Sequence, residues 1–348
     1  MSRSDGIGER LDALSPERRA LLEALRAEGR PSATGIRRRD PGEPVTLSFA
    51  QRRLWFLDQL ASGNPFYNIP LAVRLPAPLS APLLERSINE IVCRHESLRT
   101  TFESRDGEPL AVVAPALHVP LSTVNLRSLP AESREAESVR LATLEAQQPF
   151  DLERGPLIRT TLLELTDFEQ VFLLSLHHII GDGWSAGIFF QELSAIYPAF
   201  AIGRVSPLPE LPLQYGDFAV WQKRWLSPDV LREQLGYWKQ QLAELPTLNL
   251  ATDRPRPPLK AFRGAVHRFT VDVPLTREIK ALSRRESVTL FMTLLAAFQI
   301  LLHRYTSQSD VVVGSMISNR TRRELEPLIG FFVNSLVLRT DLSGDPTF

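Results

Sequence analysis

The sequence predicts a mixed α/β fold, an α+β sandwich of two lobes, and three features carry that prediction. Segments of helical and strand periodicity interleave along the chain, as they do when helices cover sheets. Residues 171–176 are almost unbroken apolar, the pattern of a strand covered on both faces. A proline-punctuated stretch at residues 207–212 separates two groups of such segments, and a length of 348 residues suits two domains.

From the N-terminus, Ser15-Pro16-Glu17 supplies a helix cap, a first-turn proline and an acidic first turn, followed by apolar Leu21, Leu22 and Leu25. Residues 29–44 are rich in Gly, Pro, Ser and Arg and read as a linker, with Arg37-Arg38-Arg39 as a solvated charge run. Residues 1–44 are therefore expected to be a helix and linker, 45–212 a first lobe and 213–348 part of a second.

Within the first lobe, Ala50, Leu54, Leu57 and Leu60 mark one face of a helix. A strand is expected over residues 67–75 and an amphipathic helix over 83–98. Residues 157–165 alternate like a half-exposed strand, 171–176 form a central one, and a helix follows from about 185 to 201. In the second lobe the pattern predicts helices near 217–243 and 288–304, and strands near 266–273, 311–316 and 332–342.

Composition excludes several functions. Forty Lys plus Arg balance forty Asp plus Glu, so neither nucleic acid nor an anionic membrane is an expected partner, since each needs a clustered basic surface. Cys93, the only cysteine, removes disulfides and thiolate zinc sites, and its apolar neighbourhood predicts a buried small side chain. No signal peptide and no apolar run of membrane-spanning length is visible, so a reducing cytoplasmic compartment is expected.

The chemistry concentrates in His177-His178-Ile179-Ile180-Gly181-Asp182-Gly183-Trp184-Ser185, where a buried strand gives way to a helix. Adjacent strand side chains point to opposite faces, so one histidine faces a cleft and the other faces packed structure. Such a pair does not share a metal, and no third ligand lies at usable spacing. Two readings stay open on the residues alone. Both histidines are hydrogen-bonded core groups with Asp182 capping the helix, or the segment meets a ligand that the flanking glycines let approach the backbone.

Residues 177–183 match the HHxxxDG signature, and the chain resembles the condensation domains of nonribosomal peptide synthetases, in the wider superfamily of chloramphenicol acetyltransferase. Four more blocks match in the family's order: Ser48-Phe49-Ala50-Gln51-Arg52-Arg53-Leu54-Trp55, Arg94-His95-Glu96-Ser97-Leu98-Arg99-Thr100, Tyr215-Gly216-Asp217-Phe218-Ala219-Val220-Trp221-Gln222 and Ile329-Gly330-Phe331-Phe332-Val333-Asn334. The family's later motifs lie beyond Phe348, so an incomplete second lobe is expected.

The resemblance implies two acetyltransferase-like lobes in a V, with a tunnel that meets the signature loop. It implies amide formation between a donor aminoacyl or peptidyl thioester and an acceptor amine, both on 4'-phosphopantetheine arms, with no cofactor bound directly. The implied partners are upstream and downstream carrier domains and an adenylation domain. A non-catalytic carrier-binding module and a loading acyltransferase using acyl-coenzyme A are the alternatives. By resemblance His178 is catalytic, His177 packs behind it, and Asp182 pairs with Arg320. Gly183 lies beside the donor thioester, and Trp184 and Asn334 line the tunnel. The paired histidines differ from the pattern of heterocyclisation domains, and the first block from that of epimerisation domains. Residues 67–70 and 99–102 resemble the subclass that accepts an L-configured donor.

Overall fold

A computed structural model describes residues 35–40, 43–75, 77–255, 264–344 and 346–347. The predicted N-terminal helix after Ser15 lies outside the described residues.

Residues 68–177 contain a four-stranded sheet. Its strands are β1 (Asn68–Leu75), β4 (Leu121–Asn125), β5 (Ile158–Glu164) and β6 (Gln170–His177), in the order β1-β6-β5-β4. A separate hairpin joins β2 (Thr100–Arg105) to β3 (Glu108–Val113). β6 runs antiparallel to both neighbours, pairing Asn68 with His177 on one side and Ile158 with Leu176 on the other. Every residue of β6 is buried, as its unbroken apolar text predicts.

Helices α1 (Phe49–Leu60), α2 (Ala81–Arg94), α3 (Ala131–Gln147) and α4 (Gly183–Ala201) alternate with these strands along the chain. Leu84, Ile88, Ile91 and Val92 of α2 share a core with Ile188, Phe189 and Ile196 of α4 and with Leu162, Phe172 and Leu174 of the sheet. Complete burial of one such leucine or isoleucine contributes about 1.5–3 kcal/mol, so this helix pair anchors α4, whose N-terminus carries the site. Ser48 caps α1 through a capping box with Gln51, and the Gln51 amide also donates to the Ile179 carbonyl at 2.9 Å. The first sequence block is thereby tied to the signature loop.

Further along are α5 (Tyr215–Trp225), α6 (Pro228–Gln241), α7 (Val273–Arg285) and α8 (Leu290–Thr306), with a hairpin of β7 (Asp310–Ile317) and β8 (Asn334–Asp341). Among the described residues no single helix is long and apolar enough to cross a membrane.

Several expectations need correction. Cys93 is exposed, because α2 buries Leu84, Ile88, Ile91 and Val92 and the next helical step turns residue 93 away. β5 has no exposed residue, because β6 and β4 flank it and helices cover its faces. The expected strand at 266–273 is not formed: exposed, irregular chain leads into α7, whose cap is Asp272. The predicted helix at 217–243 is broken where Ser227 caps a new helix with Pro228 in its first turn. The hairpin of β2 and β3, together with β4, α3 and α7, is an addition to the elements that periodicity predicts.

Nor is Arg39 a solvated linker charge. Its guanidinium bridges Glu96 and Asp217, contacting the latter at 3.1 Å, and Ile36 joins a core with Leu213, Tyr215, Leu328 and Phe332.

Candidate active site

The site begins where β6 ends. His177 is 2% exposed, and its ring lies edge-on to Tyr67 and Phe150 at centroid distances of 6.3 and 6.1 Å. The Ile179 N–H donates to His177 Nδ1 at 3.2 Å, which places the ring proton on Nε2. Burial first, and the neighbouring His178 second, push the His177 pKa down to about 3. The ring is thus neutral and sealed, which suits packing rather than proton exchange.

His178 follows in a turn, so the two imidazoles part because the strand stops, not because it continues through both. The His178 backbone N–H donates to the Tyr67 carbonyl at 2.8 Å, and its side chain is half-buried. His178 Nδ1 lies 2.9 Å from the Gly181 carbonyl, which only accepts, so Nδ1 carries a proton. In the neutral ring Nε2 keeps its lone pair. The Phe331 ring meets the imidazole at 4.8 Å and 65°.

Asp182 is fully buried and caps α4 by accepting from the Ser185 N–H at 2.8 Å and the Ser185 hydroxyl at 2.7 Å. Its other oxygen accepts from the Phe332 N–H at 3.1 Å. Arg320 Nη2 donates to Asp182 at 3.3 Å and to the Ser185 hydroxyl at 3.1 Å, while Nη1 donates to the Leu325 and Leu328 carbonyls. The guanidinium also lies over the Phe332 ring at 4.0 Å. Burial pushes the Arg320 pKa down and the Asp182 carboxylate opposes it. Asp182 thus points into protein and acts as a girder between α4 and residues 320–332.

Gly183 opens α4 and is exposed, and a Cβ added there meets nothing within 4 Å. The fold itself does not require glycine at this position. Trp184 is 48% exposed, donates from its indole to the Glu326 carbonyl at 3.0 Å, and lines a groove of about 750 Å³ with Arg94, Gly187 and Glu192. Asn334 lines a separate cavity of about 130 Å³ with Ser48, Arg53 and Phe331, and its side-chain oxygen accepts from the Ser335 N–H. Phe331, which meets the His178 ring at 4.8 Å, lines the Asn334 cavity. A helical step past Gly183 and a backbone anchor carry Trp184 to another face.

The sequence blocks did not reveal the roles of Ser185, Tyr215 and Phe331. The signal was Gly330, wedged so tightly that an added Cβ would fall 1.9 Å from the Tyr215 ring.

The HHxxxDG turn at the end of a buried strand is braced from behind by a buried Asp–Arg pair. The chain belongs to the Condensation domain family, whose model matches residues 43–348. Its relatives are nonribosomal peptide synthetases, which place it among their condensation domains. It is 53% identical over 305 residues to a linear gramicidin synthase of Brevibacillus parabrevis, covering 87% of this chain and 4% of that protein. It is 42% identical over 348 residues to phosphinothricin tripeptide synthetase PhsC of Streptomyces viridochromogenes, covering 99% of this chain and 32% of that protein. Among solved structures, the X-domain in complex with OxyB from teicoplanin biosynthesis superposes with a TM-score of 0.80 at 29% identity, covering 90% of this chain and 69% of that one. The chain therefore spans a small part of the curated synthetases it matches.

Proposed function

We propose that the chain forms amide bonds between a donor aminoacyl or peptidyl thioester and the α-amine of an acceptor aminoacyl thioester. Both substrates arrive on 4'-phosphopantetheine arms of upstream and downstream carrier domains, the acceptor having been loaded by an adenylation domain. The observation that carries this reading is His178, half-buried, with Nδ1–H held by the Gly181 carbonyl and Nε2 left as an acceptor.

In the proposed step the amine nitrogen attacks the thioester carbonyl, the new C–N bond forms and the C–S bond breaks. The ammonium proton passes to His178 Nε2 and then to the departing thiolate, so charge balances. An α-amine of pKa about 7.7–8.0 is roughly one-tenth free base at pH 7, so the nucleophile exists without help. Holding two tethered reactants in attack geometry lowers a barrier by about 7–11 kcal/mol, whereas a general base contributes about 10²–10⁴ in rate. Positioning is the larger effect, and His178 contributes orientation and proton transfer on top of it. Gly183, with open space where a Cβ would stand, suits close approach of the donor arm. The blocks at 67–70 and 99–102 favour an L-configured donor.

A second reading is recruitment without turnover, and the likeness to the X-domain found in complex with OxyB favours it. One experiment separates the two. The natural full-length protein, with its carriers loaded, is assayed for the condensed product beside its His178→Ala variant. Product formed by the wild type and lost in the variant supports condensation, whereas no product from either supports recruitment.

A further inference from the structure

Residues 329–332 run as a strap between the sheet-end loop and α5, and buried side chains of other elements grip their backbone. The Ile329 N–H donates to His95 Nδ1 at 3.3 Å, and its carbonyl accepts from the Ser97 hydroxyl at 2.8 Å. The Gly330 N–H donates to the Ser185 hydroxyl at 3.0 Å, the Phe331 carbonyl accepts from the Tyr215 phenol at 2.7 Å, and the Phe332 N–H donates to Asp182 at 3.1 Å. His95, Ser97, Ser185, Tyr215 and Asp182 are all at most 4% exposed.

The grips are themselves braced. Because His95 Nδ1 accepts, its Nε2–H donates to Glu192 of α4 at 3.0 Å, and Arg94 holds the other Glu192 oxygen at 2.8 Å. Burial raises the Tyr215 pKa well above the ordinary phenol value, so its hydroxyl remains a donor. Five side chains from three regions of the chain thus fix a segment of a few residues, more than tethering alone requires.

This grip presses Phe331 edge-on against His178, at 4.8 Å and 65°. Otherwise, among the described residues, the imidazole is held by one hydrogen bond, from Nδ1 to Gly181, a contact that a rotating ring would lose. A packed ring edge is what removes that rotation.

We propose that Phe331 is a positioning residue for His178: the clamped strap holds it against the imidazole, keeping the Nδ1–H tautomer and directing Nε2 outward. This rests on the condensation reading for its effect on rate, but the ring geometry is independent of that reading. The geometry also makes the blocks at 94–100, 215–222 and 329–334 one device aimed at residue 178.

The test uses Phe331→Ala and Phe331→Tyr in the full-length protein, with long-range nitrogen–proton NMR of selectively labelled His178 and steady-state kinetics with loaded carriers. Phe331→Ala is expected to mix the two His178 tautomers and to lower kcat about ten- to a hundredfold with KM for the carriers unchanged. Phe331→Tyr, which keeps the ring edge, is expected to restore both readouts. Should Phe331→Ala fold poorly, Ser97→Ala, which loosens the strap without touching His178, is expected to mix the tautomers in the same direction. An unaltered tautomer with unaltered kcat in Phe331→Ala overturns the proposal. If the wild type makes no product, the condensation reading fails while the NMR still decides this one.

Discussion

The Asp182 carboxylate and the Arg320 guanidinium lie 3.3 Å apart, with side chains 0% and 1% exposed, although 138 residues of chain separate them. Each ion has further protein partners through its Oδ and Nη atoms, while Arg320 Nε is buried without one, and the value of the pair appears when one member is removed. Breaking a buried pair by losing one partner costs about 3–5 kcal/mol, because the survivor stays charged and dry. Asp182→Ala and Arg320→Ala are each expected to fall in that range by urea denaturation. The double variant is expected to lose less than the two single losses added together. Additive losses would show that the two charges do not interact.

His178 is half-buried and, among the described residues, gives the fold one side-chain hydrogen bond. His178→Ala is therefore expected to leave stability within about 1 kcal/mol of wild type while lowering the condensation rate about 10²–10⁴-fold. Denaturation together with a single-turnover product assay checks both halves, and a full-speed variant would remove the residue from the mechanism.

His177 sets a pH dependence of stability. Its folded pKa of about 3 lies below the ordinary value of 6.5, so between these pH values the unfolded chain binds the extra proton. Stability from this residue is complete above pH 6.5 and falls with decreasing pH, by about 1.4 kcal/mol per unit well inside the window. The His95 pKa is also lowered, chiefly by burial, and adds a loss of the same sign. His177→Asn, compared with wild type at pH 7 and pH 5, is expected to lose the smaller amount on acidification. Equal losses would contradict the assignment.

Gly183 and Gly330 separate function from fold. Gly183→Ala places its Cβ in open space and is expected to unfold no earlier than wild type, yet to slow condensation by about tenfold or more, up to the hundredfold a 1 Å misplacement costs. Gly330→Ala would drive its Cβ into the Tyr215 ring, and about 1–3 kcal/mol or more of stability is expected to be lost. Calorimetry of both variants, with the rate assay on the first, distinguishes the two roles.

The burial of β6 and the turn that follows were legible because local text encodes them: an unbroken apolar run, then glycines around a capping aspartate. The nearness of Asp182 and Arg320 came from resemblance, since no spacing rule links positions so far apart. The missed α3 leaves Val139 and Leu144 exposed while Leu141 and Ala142 pack inward and only Ser138 is fully buried, so its apolar residues do not keep to one face. The misread segment at 266–273 alternates apolar and polar residues but is irregular chain up to the α7 cap, without a paired neighbour among the described residues.

Residue order alone was enough for the fold class, the family, and the loop in which the histidines, the aspartate and the glycine stand together. Folding in three dimensions settled which histidine is buried and which half-buried, that Arg39 joins Glu96 to Asp217, and that five buried side chains bind the backbone of residues 329–332, whose Phe331 meets the His178 ring. Periodicity and capping are properties of neighbours in the chain, whereas burial, tautomer and ion pairing depend on which distant segments meet, and desolvation at those meetings sets what each polar group must find.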